Sequence, residues 1–172
     1  QMVINLVPPI VTDNVGVISL DHNAPSTYPV GTTTVVWTAK DDAGNSSSVP
    51  QIVIVKDTTA PVITAPANVT EESTGLQTTV AIGVATGTDA VGPVTITSNA
   101  PETFPVGTTT VTWKATDEAG NFSTATQVVT VEDTTAPVIT GVVDMAEDAT
   151  GLLTQVTLTV PTATDAVGVV SL

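Results

Sequence analysis

The chain has 172 residues, seventeen acidic and three basic side chains, and a net charge of −14 at neutral pH. Lys40, Lys56 and Lys114 are too scattered to make a basic patch, which excludes nucleic acid and anionic membrane surfaces and leaves metal cations as the natural counter-charge. No apolar run reaches the roughly 18 residues that cross a bilayer, and without cysteine neither disulfides nor thiolate metal sites are open to the chain.

Read along its length, the sequence repeats. The pattern Thr12-Asp13-x-Val15-Gly16 returns at Thr88 and again at Thr164, each time 76 residues on. Asp57-Thr58-Thr59-Ala60-Pro61-Val62-Ile63-Thr64 returns letter for letter from Asp133 to Thr140. A fixed period of this size marks a string of similar units, each in contact mainly with its neighbours. The expected division is a partial unit over 1–56 without its first strand, a complete unit over 57–132, and the N-terminal part of a third over 133–172. Residues 1–20 and 153–172 are equivalent segments. The chain therefore reads as a window on a longer array, or as a filament subunit whose partial domains are completed by other copies through strand exchange at open sheet edges.

Thr34-Val35-Val36-Trp37-Thr38-Ala39 and its counterpart Thr110-Val111-Thr112-Trp113-Lys114-Ala115 alternate apolar and polar, the mark of half-buried strands. With Gly, Pro and Asp turns between such runs and no helical period, the fold class is all-β, tandem sandwiches of the immunoglobulin type. In the second unit strands are expected near 60–64, 67–71, 77–83, 93–98, 102–105, 109–116 and 122–131. Trp37 and Trp113 should centre their cores. Tyr28 and Phe104, ahead of the shared Pro-Val-Gly-Thr-Thr-Thr string, read as core packing rather than as a sugar-stacking platform.

Phe104-Pro105-Val106-Gly107-Thr108-Thr109-Thr110-Val111-Thr112-Trp113, then Ala115-Thr116-Asp117-Glu118-Ala119-Gly120-Asn121, resembles the hyalin-repeat (HYR) family. Asp57-Thr58-Thr59-Ala60-Pro61 is similar to that family's opening segment. The resemblance covers one full unit and two partial ones, and it implies immunoglobulin-like modules of extracellular adhesion and matrix proteins, cell-surface or secreted. Animal members carry a cysteine pair near the first and last strands. Here Ala65 and Ala125 take those places, with Val49 in the first unit and Gly141 in the last, as in the cysteine-free modules of prokaryotic surface proteins.

In a sandwich of this topology the first strand starts at the pole where the B–C and F–G loops turn. Asp57 in the linker, Asp89 in Thr-Asp-Ala-Val-Gly and Asp117 in Thr-Asp-Glu-Ala-Gly-Asn should converge there. Clustered carboxylates repel unless a cation neutralises them. Calcium suits such a site, because it takes six to eight oxygens in flexible geometry, whereas one histidine and no cysteine provide poorly for zinc or copper. Glu118 and Asn121 are candidate additional ligands. Asp13 and Asp41 would form the first unit's version without its linker ligand, and Asp133 and Asp165 the third unit's version without its F–G loop. The competing reading is ordinary turn chemistry, an Asp side chain accepting from nearby backbone N–H groups.

Glu71 and Glu72 recur as Glu147 and Asp148 in a loop expected at the opposite pole, which reads as a solvated loop, the alternative being that they face the next unit's linker and lend ligands there. His22 reads as a surface residue. Asn45, Asn68 and Asn121 head Asn-x-Ser/Thr sequons and are the glycosylation candidates.

One histidine, no cysteine and acids confined to turns supply no catalytic constellation, so an enzyme is not expected. One Thr-Thr-Thr per repeat is too sparse for an ice-binding array. The expectation is a structural repeat of an extracellular stalk, adhesin or filament, each unit adding about 35–40 Å and calcium stiffening each junction. Its partners would be neighbouring repeats and other copies of the chain. The alternative is a module that binds a glycan, a protein or another surface receptor through its loops.

Overall fold

The structure, a computed structural model, describes residues 4–169; residues 1–3 and 170–172, the outer ends of the two equivalent terminal segments, lie outside it. The described residues form thirteen strands and no helix. The fold is all-β, as expected, and contacts divide the chain into two compact units, Gln1–Thr58 and Thr59–Leu172.

In the first unit β1 (Val17–His22), β2 (Gly31–Asp41) and β3 (Ser46–Val55) form an antiparallel sheet in the order β1-β2-β3. Alternation along β2 buries Val35 and Trp37, which pack with Val53 beneath Ile4, Leu6, Leu20, Ala24 and Tyr28. The covering layer is thin. A cavity of about 980 Å³, lined in part by Ile4, Leu6, His22, Tyr28 and Trp37, opens over this core, and the buried Tyr28 hydroxyl has no hydrogen-bond partner among the described residues.

The second unit holds β4 (Val62–Thr64), β5 (Val69–Glu72), β6 (Gln77–Thr78), β7 (Thr86–Thr88), β8 (Thr95–Ser98), β9 (Phe104–Pro105), β10 (Gly107–Thr116) and β11 (Phe122–Glu132), followed by a separate pair, β12 (Val138–Thr140) with β13 (Thr162–Thr164). One layer is a sheet in the order β5-β11-β10-β8, in which β5 runs parallel to β11. The other layer is built from the short ladders β4-β7 and β6-β9. Between them Phe104, Val111, Trp113, Val129 and Val131 are buried, with Val80 and Ala85, against Ile63, Ala65, Val69, Ile82 and Ile96. Burying aliphatic and aromatic side chains at about 25 cal/mol per Å² is the main driving force for such a small sandwich. Trp37, Trp113 and Phe104 thus sit where the alternation puts them.

Two strand expectations change. The run 77–83 is a strand only over Gln77–Thr78. Val80 and Ile82 still pack inward, but the Ile82 carbonyl accepts from the Gln127 side chain instead of a neighbouring strand. β7 was not anticipated, because Thr86-Gly87-Thr88 shows no apolar alternation. Its glycine lets the backbone pack directly against the Ile96, Val94 and Ala115 side chains, which a Cβ would meet at 3.4–3.5 Å.

Two polar features hold this frame, and both recur 76 residues apart. Trp113 Nε1 donates to Gln127 Oε1 (3.2 Å) and Trp37 Nε1 to Gln51 Oε1 (2.8 Å). Asn99 exchanges bonds with Thr112 as Asn23 does with Val36, each side-chain oxygen accepting a strand N–H at 2.6 and 2.7 Å. A short asparagine thus prolongs the sheet edge where its strand ends.

Candidate metal centre

The inward-facing positions of β10 run Val111, Trp113, Ala115 and then Asp117, so the period-two pattern carries a carboxylate onto the end of the core. Asp117 is 8% exposed, with the three hydrophobic positions before it buried as well. The β10–β11 turn explains why a carboxylate is tolerated there. Asn121 donates its backbone N–H to Asp117 Oδ1 (2.8 Å) and its amide Nδ2–H to Oδ2 (2.8 Å). The Asp117 N–H donates back to the Asn121 carbonyl at 3.0 Å. Gly120 closes the turn at φ +89°, a left-handed conformation that favours glycine. Asp41, Gly44 and Asn45 repeat the arrangement in the first unit, with Asn45 donating to Asp41 at 2.8 and 2.7 Å.

Asp89 sits in the loop after β7, where its Oδ1 accepts the Val91 N–H at 2.8 Å. Asp13 and Asp165 do the same in their own repeats, Asp13 from Val15 and Gly16, Asp165 from Val167 and Gly168. The turn chemistry is therefore present at each of these aspartates. It does not compete with clustering, since an aspartate that shapes its loop still presents its second oxygen.

The second repeat brings three such carboxylates together. Carboxylate oxygens of Asp57, on the connecting segment, and of Asp89 and Asp117 all lie within 4.8 Å of one another, the first two half-buried and the third buried. Among the described residues this is the one group of three or more metal-ligating side chains of that kind. Asp13, Asp41, Asp133 and Asp165 belong to no such group of three among the described residues. Asp133 is exposed and accepts the Thr135 N–H at 3.3 Å. Glu118 is exposed beside the Asp89 loop, its Oε2 3.8 Å from where a Cβ on Gly92 would stand. Asn121 has its amide nitrogen committed to Asp117.

Burial pulls the Asp117 pKa upward, and the hydrogen bonds from Asn121, Gly120 and Ala119 outweigh it, holding the carboxyl below its ordinary 3.8. A group depressed in the folded state stabilises the fold above its ordinary value, and that contribution is lost as pH falls through the folded value. The melting temperature of the second unit should therefore hold down to about pH 4 and drop below it. Asp117→Asn should show a shallower acid limb in circular dichroism melts from pH 5 to pH 2.

The remaining candidates fall elsewhere. Asn68 accepts the Val128 N–H at 2.9 Å, and Asn45 and Asn68 are exposed while Asn121 is half-buried. His22 is exposed, its ring edge-on to Trp37 at 4.8 Å. Phe122 is 56% exposed, with Lys114 Nζ 4.2 Å over its ring. Gln127 and Asn99 are the structural residues that sequence reasoning passed over; their recurrence as Gln51 and Asn23 was the available signal.

A family model for the HYR domain matches residues 56–131. Those residues belong to the HYR domain family. The chain is also 38% identical over 95% of its length to hyalin of Strongylocentrotus purpuratus, and 38% identical over 76% of its length to hyalin of Lytechinus variegatus. It spans 15% and 27% of those two proteins. The matched HYR segment contains Asp57, Asp89 and Asp117 together with the strings that carry the resemblance.

Proposed function

We propose that the chain is a structural repeat of an extracellular stalk, adhesin or filament, and that calcium held by Asp57, Asp89 and Asp117 ties the connecting segment to the loops of the HYR domain. The approach of these carboxylates to within 4.8 Å carries the reading. Like charges that close repel in the absence of a cation, and oxygen-only ligands in loops suit calcium's size and flexible coordination. Backbone carbonyls and water would complete the shell, with Glu118, next to Asp117 on the same loop, a further carboxylate. Neighbouring repeats are the natural partners, and the likeness to hyalin supports an extracellular setting. Other copies of the chain are a second partner class in a filament.

Binding of a glycan or protein receptor is less well supported. The exposed aromatic Phe122 has Lys114 over its ring, on the face a sugar would use.

Calcium binding to the native state alone would stabilise it by about 2.7 kcal/mol at one hundred times the dissociation constant. The EDTA-treated chain should therefore melt roughly 10 °C lower than the calcium-loaded chain, using the slope for a domain of this size. Identical melting curves in EDTA and in millimolar calcium would remove the ion from the account.

A further inference from the structure

At the far end of β11 a second acidic residue does something that involves no metal. β5 runs parallel alongside the last residues of β11, with Glu71 opposite Val131 and Glu72 opposite Glu132, and the Ser73 N–H donates to the Glu132 carbonyl at 2.7 Å. The Glu72 side chain therefore points onward, past the end of the ladder, to the segment that leads into the next repeat. Its Oε1 accepts the Thr134 N–H (2.9 Å) and the Thr135 hydroxyl (3.0 Å), and its Oε2 accepts the Thr134 hydroxyl (2.8 Å). Both oxygens of one carboxylate are satisfied by three donors from two adjacent residues.

We propose that Glu72 is a positioning residue, a calcium-independent clasp that fixes the exit segment at Thr134 and Thr135 against the body of its own domain. Hydrogen bonds to an ionised acceptor are the stronger kind, and three from consecutive groups restrict that backbone where a lone bond would leave it to swivel. The Thr134 and Thr135 bonds also hold the Glu72 carboxyl below its ordinary pKa, which agrees with an acceptor used in its ionised form. Asp133 lies between the end of β11 and the clasped threonines, so the clasp sets where the linker aspartate of the following repeat emerges. The donor half recurs as Thr58-Thr59 and the acceptor place as Asp148, while Glu72 with Thr134 and Thr135 is the pair for which this chain supplies both halves. It operates whether or not the aspartate cluster binds calcium.

Amide hydrogen exchange on the full chain in EDTA tests this. In the native protein the Thr134 amide should be protected, and Glu72→Ala should speed its exchange at least about tenfold while core amides of β10 and β11 keep their protection. Glu71→Ala, one residue away, should leave Thr134 unchanged. Thr134→Val with Thr135→Val, which deletes the two hydroxyl donors, should lower the protection of the Thr134 amide from the other side. Equal Thr134 exchange in the native chain and Glu72→Ala would overturn the clasp. Loss of protection throughout β10 and β11 in Glu72→Ala would also overturn it, since Glu72 would then hold the whole sandwich rather than its exit. The measurement is made without calcium, so its outcome is independent of any result at the aspartates.

Discussion

Replacing Gln127 with leucine is expected to destabilise the second unit by about 4 kcal/mol and to lower its melting temperature by about 20 °C. Gln127 is fully buried, and its amide spans three elements. Nε2 donates to the Ala67 and Ile82 carbonyls at 2.7 and 2.8 Å, and Oε1 accepts from Trp113 Nε1. Leucine matches the volume and keeps the apolar packing, so the loss is polar. It strands a buried indole N–H and two part-buried carbonyls, at a cost of about 1–3 kcal/mol for each group kept from water. Gln51→Leu provides the comparison. Gln51 is half-buried and its side chain bonds the Trp37 indole at 2.8 Å, so about 1 kcal/mol is expected. Urea titrations of the two variants should separate clearly. Equal losses would mean that Gln127 is not the cross-layer tie.

Asp89→Asn should change sign with the solvent. Asparagine keeps the side-chain oxygen that accepts the Val91 N–H, so the loop survives, while one of three crowded charges is removed. With calcium saturating, the variant should bind about 100-fold more weakly and melt below the native chain. In EDTA the same variant should melt at or above it, because a repulsion has been relieved. Asp57→Asn should behave alike. Asp165→Asn, whose aspartate is outside the cluster, should do neither. A loss of stability at Asp89 that is the same with and without calcium would mean that the residue shapes a turn and nothing more.

The fold was legible because alternation and repetition are local signals. Val111, Trp113 and Ala115 announce their own burial, and the recurrence of the whole string fixes the unit length. The same alternation run two residues further places Asp117 on the core face, which makes its convergence with a second loop readable. What stayed hidden depends on contacts far apart in sequence. Nothing near Thr86 signals that a bare glycine will pack against Ile96 and Ala115. The residues 79–83 look like a strand because Val80 and Ile82 alternate, yet a glutamine 45 residues away takes the Ile82 carbonyl. That Phe122 lies on the outer face follows from its register opposite Thr116, a pairing no local pattern announces. For Glu72 the pole and the nearby linker were readable from the repeat, but the bonds to Thr134 and Thr135, 62 and 63 residues on, were not.

Isothermal titration of calcium into the EDTA-stripped chain addresses the central claim most directly. One ion should bind with a heat that vanishes in the triple variant Asp57→Asn, Asp89→Asn, Asp117→Asn and persists in Asp13→Asn. Absence of any saturable heat in the native chain, or its survival in the triple variant, would contradict a metal centre at this cluster.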